Sequence, residues 1–239
     1  MKGFSARAWP PFVDGAGDGE SMRVVFLGAP GVGKGTQADR IAAQYHVAKI
    51  STGDLLREAV RTRTTLGLEA KSYMDQGGLV PDAVVIGLVR EKLADPSCAN
   101  GFVLDGFPRT VPQAEALGTV LVSKGITLDR VVNFQVSRED VVRRLSGRRS
   151  CPKCQATFHL DFAPSKMDGI CDRCGEPLVQ RSDDRREAIE MRLKVYDEQT
   201  APLVRYYDER QLLFPMDASG GVDVVFGHLS QELAQYQAI

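Results

Sequence analysis

With 239 residues, 43% hydrophobic and 26% charged, the chain has an ordinary globular composition, enough for one sizeable core and for appended subdomains. Its 30 basic and 31 acidic residues nearly cancel, and outside residues 1–21 they stand at 28 against 28, a balance that excludes wholesale nucleic-acid binding. No apolar stretch approaches the roughly 18 residues that a membrane helix needs, so a soluble protein without a membrane partner is expected.

Residues 1–21 mix Gly, Pro and a lone Trp9 with Lys2, Arg7, Asp14, Asp18 and Glu20, without periodicity. The apolar centre is too short for a secretory signal and the acids too many for an organellar presequence, so a disordered N-terminal extension and a cytoplasmic location are expected. The β-branched run at 24–27 predicts a strand. It breaks into Gly28-Ala29-Pro30-Gly31-Val32-Gly33-Lys34-Gly35-Thr36, and a helical stretch follows. Such a strand, loop and helix cradle phosphate: glycines let backbone N–H groups turn inward, Lys34 adds a cation, and the helix contributes its positive end. Gly31, Val32, Gly33, Lys34, Gly35 and Thr36 are therefore expected to hold a nucleoside triphosphate. The generic spacing places a hydroxyl directly after the lysine; here Gly35 intervenes before Thr36, which weakens Thr36 as a direct magnesium ligand.

Residues 52–93 read as a helical excursion punctuated by Gly77-Gly78 and Pro81. Further short apolar runs at 49–51, 102–104 and 131–136, with a fifth at either 212–216 or 222–226, alternate with helical segments. That rhythm predicts a parallel sheet covered on both faces, with ligands at the carboxyl ends of its strands. Residues 147–182 interrupt the rhythm and read as a lid. Asp184-Arg185-Arg186-Glu187 then matches a capping box opening a helix toward Tyr196.

Four of the five cysteines fall in the lid, as Cys151-x2-Cys154 and Cys171-x2-Cys174 with sixteen residues between the pairs. In a reducing compartment this spacing predicts a four-thiolate zinc site, closed to water and therefore structural, with cobalt or iron open as the metal as well. His159 is the nearby competitor as a ligand, and Cys98 reads as a small buried residue. Between Cys151 and Cys174, Lys153, Lys166 and Arg173 offset Asp161, Asp168 and Asp172, which argues against a nucleic-acid-binding zinc ribbon.

The phosphate loop, Ser51-Thr52-Gly53-Asp54-Leu55-Leu56-Arg57, Gly78-Leu79-Val80-Pro81-Asp82, Asp105-Gly106-Phe107-Pro108-Arg109-Thr110 and Gly147-Arg148-Arg149 together resemble adenylate kinases of the long-lid bacterial type with a zinc-bearing lid. The resemblance runs from Met22 nearly to the C-terminus. It implies an α/β P-loop nucleoside monophosphate kinase fold: a five-stranded parallel sheet with helices on both faces, a helical acceptor-binding insertion and a zinc lid. The core is expected at 22–51, 95–146 and 185–239, the acceptor (AMP-binding) subdomain at 52–94 and the lid at 147–184. The activity implied is reversible phosphoryl transfer from magnesium ATP to AMP, giving two ADP, by a monomer holding Mg2+ with ATP and Zn2+ in the lid. Another acceptor monophosphate, or GTP as donor, stays open.

Carried over residue by residue, Lys34, Arg144 and Arg148 face ATP. Thr52, Arg57, Val80, Gly106, Arg109, Gln113, Arg181 and Arg192 face AMP. Lys34, Asp105, Arg109, Arg144, Arg148, Arg181 and Arg192 form the catalytic set. Asp105 is expected to orient magnesium through water, or else to hydrogen-bond the loop, and Asp54 is a weaker version of the same idea. Arg144 is also a candidate to stack on the donor base, and it shares a face with Arg148 if the helix persists through Gly147. Gln113 suits adenine because an amide offers both a donor and an acceptor. Arg138, Arg143, Arg149, Arg185 and Arg186 are left as solvated charges. Phe107-Pro108 is expected to be cis, and Gly78 stands where some members of that family carry lysine.

Overall fold

The computed structural model describes residues 21–236, so the expected extension at 1–21 lies outside the described residues apart from Ser21. Five strands, β1 (Met22–Gly28), β2 (Ala48–Ser51), β3 (Gly101–Asp105), β4 (Arg130–Gln135) and β7 (Leu213–Asp217), form a parallel sheet in the order β2-β3-β1-β4-β7. Alternating side chains of the central strand β1 feed two cores. Val24 and Phe26 pack with Ile41, Leu193 and Leu229 on one face; Val25 and Leu27 pack with Leu56, Leu117 and Leu203 on the other.

On these faces lie α1 (Lys34–Tyr45), α5 (Val111–Ser123), α6 (Arg138–Ser146), α7 (Arg186–Val195), α8 (Pro202–Asp208) and α9 (Val222–Ala234). The fifth strand is thus the earlier of the two candidate runs. The later one is helical, because Val225, Leu229 and Leu233 bury a stripe at four-residue spacing. Pro215 is accommodated because β7 is an edge strand. Among the described residues no helix is long and apolar enough to cross a membrane.

Between β2 and β3 lie α2 (Thr52–Arg61), α3 (Thr65–Asp75) and α4 (Asp82–Lys92). Ser51 and Thr64 cap the first two, their hydroxyls accepting from the backbone N–H of Asp54 and Gly67. Gly67 lets α2 and α3 touch: a Cβ there would fall 2.0 Å from the Ala59 carbonyl oxygen. The lid carries an antiparallel pair, β5 (Arg148–Ser150) with β6 (Thr157–His159).

Two local expectations fail here. Helix α6 stops at Ser146, so Arg144 and Arg148 do not share a helical face. The chain is captured by the lid instead: Leu160 N–H donates to the Gly147 carbonyl, and the His159 ring stands 2.4 Å from where a Gly147 Cβ would be. The 184–187 capping box does not form either; α7 starts at Arg186 without a side-chain cap, and Asp184 lies buried in a preceding 3₁₀ turn, its carboxylate taken by arginines. The Phe107-Pro108 bond is cis, as expected.

Candidate functional site

The loop after β1 wraps around its lysine. Lys34 Nζ donates to the carbonyls of Gly28 (2.7 Å) and Ala29 (2.8 Å), and helix α1 opens on Gly33 in the left-handed region. Gly31 is also left-handed, and a Cβ there would strike the Leu145 side chain at 2.6 Å, so loop and lid-bearing helix can close up only around glycine. Burial pushes the Lys34 ammonium down to about 8; Asp105 opposes this, while Arg109, Arg192 and Arg148 add to it. Gly35 keeps the loop near Asp105, whose Oδ2 would stand 3.2 Å from a Cβ at that position. Arg144 is tied to the loop from outside, donating to the carbonyls of Val32 (3.2 Å) and Ala218 (2.9 Å).

Beyond Lys34 the arginines predicted from sequence converge. The fully buried Asp184 carboxylate accepts two bonds from Arg148, at 2.7 and 2.5 Å, and one from Arg192 at 3.1 Å. Asp183 pairs with Arg192 at 2.9 Å. Burial alone would raise the Asp183 carboxyl; Arg192 and Arg148 hold it below the usual range instead. Arg181 donates to Ser150 Oγ at 2.7 Å, and burial works against its charge as it does for Arg192 and Arg109. A guanidinium keeps its proton under such pressure. These cations therefore stand ready for a polyanion.

The adjoining cleft is lined by Thr52, Arg57, Val80, Gly106, Arg109 and Gln113, with Leu56, Met74 and Val85 as its apolar wall. Thr52 Oγ1 and Arg109 Nε both donate to the Gly106 carbonyl, at 2.8 Å each. Arg57 Nη2 donates to Asp54 at 2.5 Å, while its Nε is buried without a partner among the described residues. Asp54 also faces Lys49 at 3.6 Å, so this carboxylate is committed to cations of the protein. Gln113 is fully buried in the wall, its Oε1 accepting from the Arg109 backbone N–H (2.8 Å) and its Nε2 donating to Asp82 (2.7 Å). Thr200, in a π-turn after α7, donates to the Arg109 carbonyl.

In the lid the four expected cysteines come together, with sulfurs within 4.8 Å of one another. The nearest pairs are Cys151 with Cys174 at 3.4 Å and Cys154 with Cys171 at 3.5 Å. Tetrahedral thiolates around zinc stand about 3.8 Å apart, so this set fits such an ion. His159 is outside it; its Nδ1 accepts from the backbone N–H groups of Asp161 and Phe162. Cys98 is buried, as expected.

Two of the arginines left as solvated charges are otherwise engaged. Arg143 lies over the Phe162 ring, 4.7 Å from its centroid, and Arg149 folds back onto the Ser146 and Arg148 carbonyls. Arg138 and Arg186 form exposed pairs, and Arg185 is exposed. Sequence reasoning missed Asp82, Asp183, Asp184 and Thr200 as organisers of the site. Only the Asp183-Asp184 pair, two residues past Arg181, carried a signal.

A family model described as adenylate kinase matches residues 26–212. The adenylate kinase of Carboxydothermus hydrogenoformans is 50% identical over 212 residues, covering 89% of this chain and 99% of that one. That of a Geobacter species is 53% identical over 208 residues (87% and 97%), and that of Lachnospira eligens 50% identical over 205 residues (86% and 96%). On the match over most of its length, and on a phosphate loop facing converging arginines, the chain belongs to the adenylate kinase family, the nucleoside monophosphate kinases that act as phosphotransferases.

Proposed function

We propose that this protein carries out its family's reaction, reversible transfer of the terminal phosphoryl group of magnesium ATP to AMP, with ATP on the loop of Gly31, Val32, Gly33, Lys34, Gly35 and Thr36 and AMP in the cleft of Thr52, Arg57, Val80, Gly106, Arg109 and Gln113. The observation that carries this reading is an unbalanced charge. Lys34, Arg57, Arg109, Arg148, Arg181 and Arg192 gather around Asp54, Asp105, Asp183 and Asp184, six positive groups against four negative, and several of those cations are buried against their own charge. A bridging polyphosphate answers that imbalance.

Phosphoryl transfer asks the protein for alignment, charge neutralisation and exclusion of water rather than covalent work. Lys34 reaches the donor phosphates from the loop. Arg148 and Arg192, held at the lid's root by Asp183 and Asp184, and Arg181, held by Ser150, surround the group in flight. Arg57 and Arg109 grip the acceptor phosphate, where a planar fork suits an oxyanion better than an ammonium does. Arg144 secures the loop from outside and borders the donor side. Magnesium would be held by the nucleotide and, through water, by Asp105, and would shield the negative charge of the phosphates.

The subdomain assignment follows the same division: core 22–51, 95–146 and 185–239, acceptor subdomain 52–94, lid 147–184. The lid excludes water that would otherwise hydrolyse ATP. Zinc on Cys151, Cys154, Cys171 and Cys174 would fold a segment whose own apolar cluster is small. Cysteines without disulfides suit a reducing cytoplasm, and the protein is proposed to act as a monomer. The test is a coupled assay for ADP with AMP, UMP and CMP as acceptors: AMP is expected to give the highest kcat/KM, and equal rates with all three would overturn the adenine assignment.

A further inference from the structure

Gln113 can discriminate an adenine edge only if its amide is held in one orientation, since a free amide rotates to present donor and acceptor in either order. Two neighbours hold it. The Arg109 backbone N–H can only donate, so the atom 2.8 Å away must be the oxygen; the Asp82 carboxylate can only accept, so the atom 2.7 Å away must be the nitrogen. Turning the amide over would set oxygen against carboxylate and NH2 against N–H. Asp82 has no slack to adapt, because its other oxygen accepts from Thr110 Oγ1 at 2.8 Å, and that hydroxyl in turn accepts from the Gln113 backbone N–H at 3.3 Å. The side chain is 1% exposed and lines the cleft. Its remaining capacity is one Nε2 hydrogen and one Oε1 lone pair, in an order fixed by the protein.

We infer that Asp82 is a specificity-determining residue: acting through Gln113 and together with the Arg109 backbone N–H, it fixes the polarity of the base-reading amide so that the acceptor site takes a 6-amino purine and rejects a 6-oxo purine. Adenine presents a 6-amino donor beside the N1 acceptor, which matches an amide whose oxygen and nitrogen are both assigned. Hypoxanthine and guanine present a 6-oxo acceptor beside an N1–H donor, which requires the forbidden orientation. Asp82 does not touch the base. It is a positioning residue at the first turn of α4, reaching across to α5. This inference rests on the reading of Gln113 as the acceptor-base contact.

The probe is inosine 5′-monophosphate, which differs from AMP only in the polarity of this edge. With the zinc-loaded full chain and saturating ATP, kcat/KM is measured for AMP and IMP in the parent, Asp82→Asn, Gln113→Ala and the double variant. Asparagine keeps the volume of Asp82 but can face either orientation of its neighbour, leaving the Arg109 N–H as the one remaining constraint, so Asp82→Asn is expected to lower the AMP/IMP ratio by roughly threefold to tenfold, less than Gln113→Ala does. Gln113→Ala should lower the ratio too, and adding Asp82→Asn to it should change the ratio no further, while the ATP KM stays within about twofold throughout. A ratio that falls in Gln113→Ala but not in Asp82→Asn overturns the role of Asp82 alone, as does a full additional loss in the double variant. An unchanged ratio in Gln113→Ala overturns the base-contact reading and the inference with it. A destabilised but otherwise normal fold would lower both substrates together and leave the ratio at the parent value, which also counts against Asp82.

Discussion

Replacing Asp184 with Asn removes one negative charge from beneath two arginines of the proposed catalytic set. The carboxylate is fully buried, Arg148 and Arg192 are only 17% and 16% exposed, and together they place three hydrogen bonds on it. Breaking a buried charge pair costs about 3–5 kcal/mol, largely because the partner stays buried and uncompensated. Asparagine keeps one acceptor and the volume, which places the loss near the lower figure, about 3 kcal/mol. In a domain of this size that lowers the Tm by about 6–12 °C, read by circular dichroism. The effect on turnover is larger: Arg148 loses its charged anchor and Arg192 one of its two carboxylates, and a misplacement of about 1 Å costs roughly a hundredfold. With ATP and AMP both saturating, kcat is therefore expected to fall by about two orders of magnitude. Asp183→Asn, which loosens Arg192 alone, should cost less. If Asp184→Asn melted within about 2 °C of the parent and kept kcat within threefold, anchoring of the arginines by this carboxylate would be refuted.

Lys34 sits at about 8 in the free protein against 10.5 in an unfolded chain, so the free protein gains stability as pH rises from 8 to 10.5 and the buried charge is relieved. Bound phosphates favour the charged lysine, hence at pH 8.5 ATP binding should take up about 0.7 proton, measured by calorimetry in two buffers of different ionisation enthalpy; no uptake would contradict the assignment. Gly147→Ala would place a methyl against the His159 ring at the lid's root, and should raise the ATP KM more than the AMP KM, with equal changes counting against a lid-specific effect. Stripping the zinc proposed for the four lid cysteines with a chelator should cut transfer by about a hundredfold or more while AMP still binds, seen by calorimetry; transfer that survives complete removal would contradict the proposed structural role.

The phosphate loop and the cysteine knuckles were legible from sequence because each is local. A strand, three left-handed glycines and a helix follow one another without a gap from Met22, and the Cys-x2-Cys pairs state their own geometry. The sheet was legible for the same reason, apart from its last strand, where two β-branched runs competed and only the burial stripe of α9 decides between them. What could not be read was which carboxylates organise the arginines. Arg148 and Asp184 are 36 residues apart, and apart from the acidic pair's place just past Arg181 nothing in the sequence marks Asp184 as the acid that becomes fully buried. The 184–187 pattern satisfied the rule for a capping box, yet tertiary ion pairing outweighed the local cap. The spacing of Arg144 and Arg148 likewise obeyed helical geometry until the lid hairpin took the chain at Gly147. Asp82 escaped notice because its importance lies in what it forbids a neighbour to do.

That two nucleotides meet end to end between Lys34 and the arginines is tested most directly by a crystal structure with two adenosines joined through five phosphates. One adenosine is expected on the loop of residues 31–36 and the other beside Gln113, with the phosphate chain crossing Lys34, Arg148, Arg192 and Arg109. A fully occupied ligand whose phosphates lay outside that cleft, or with both adenosines on one side of it, would contradict the arrangement.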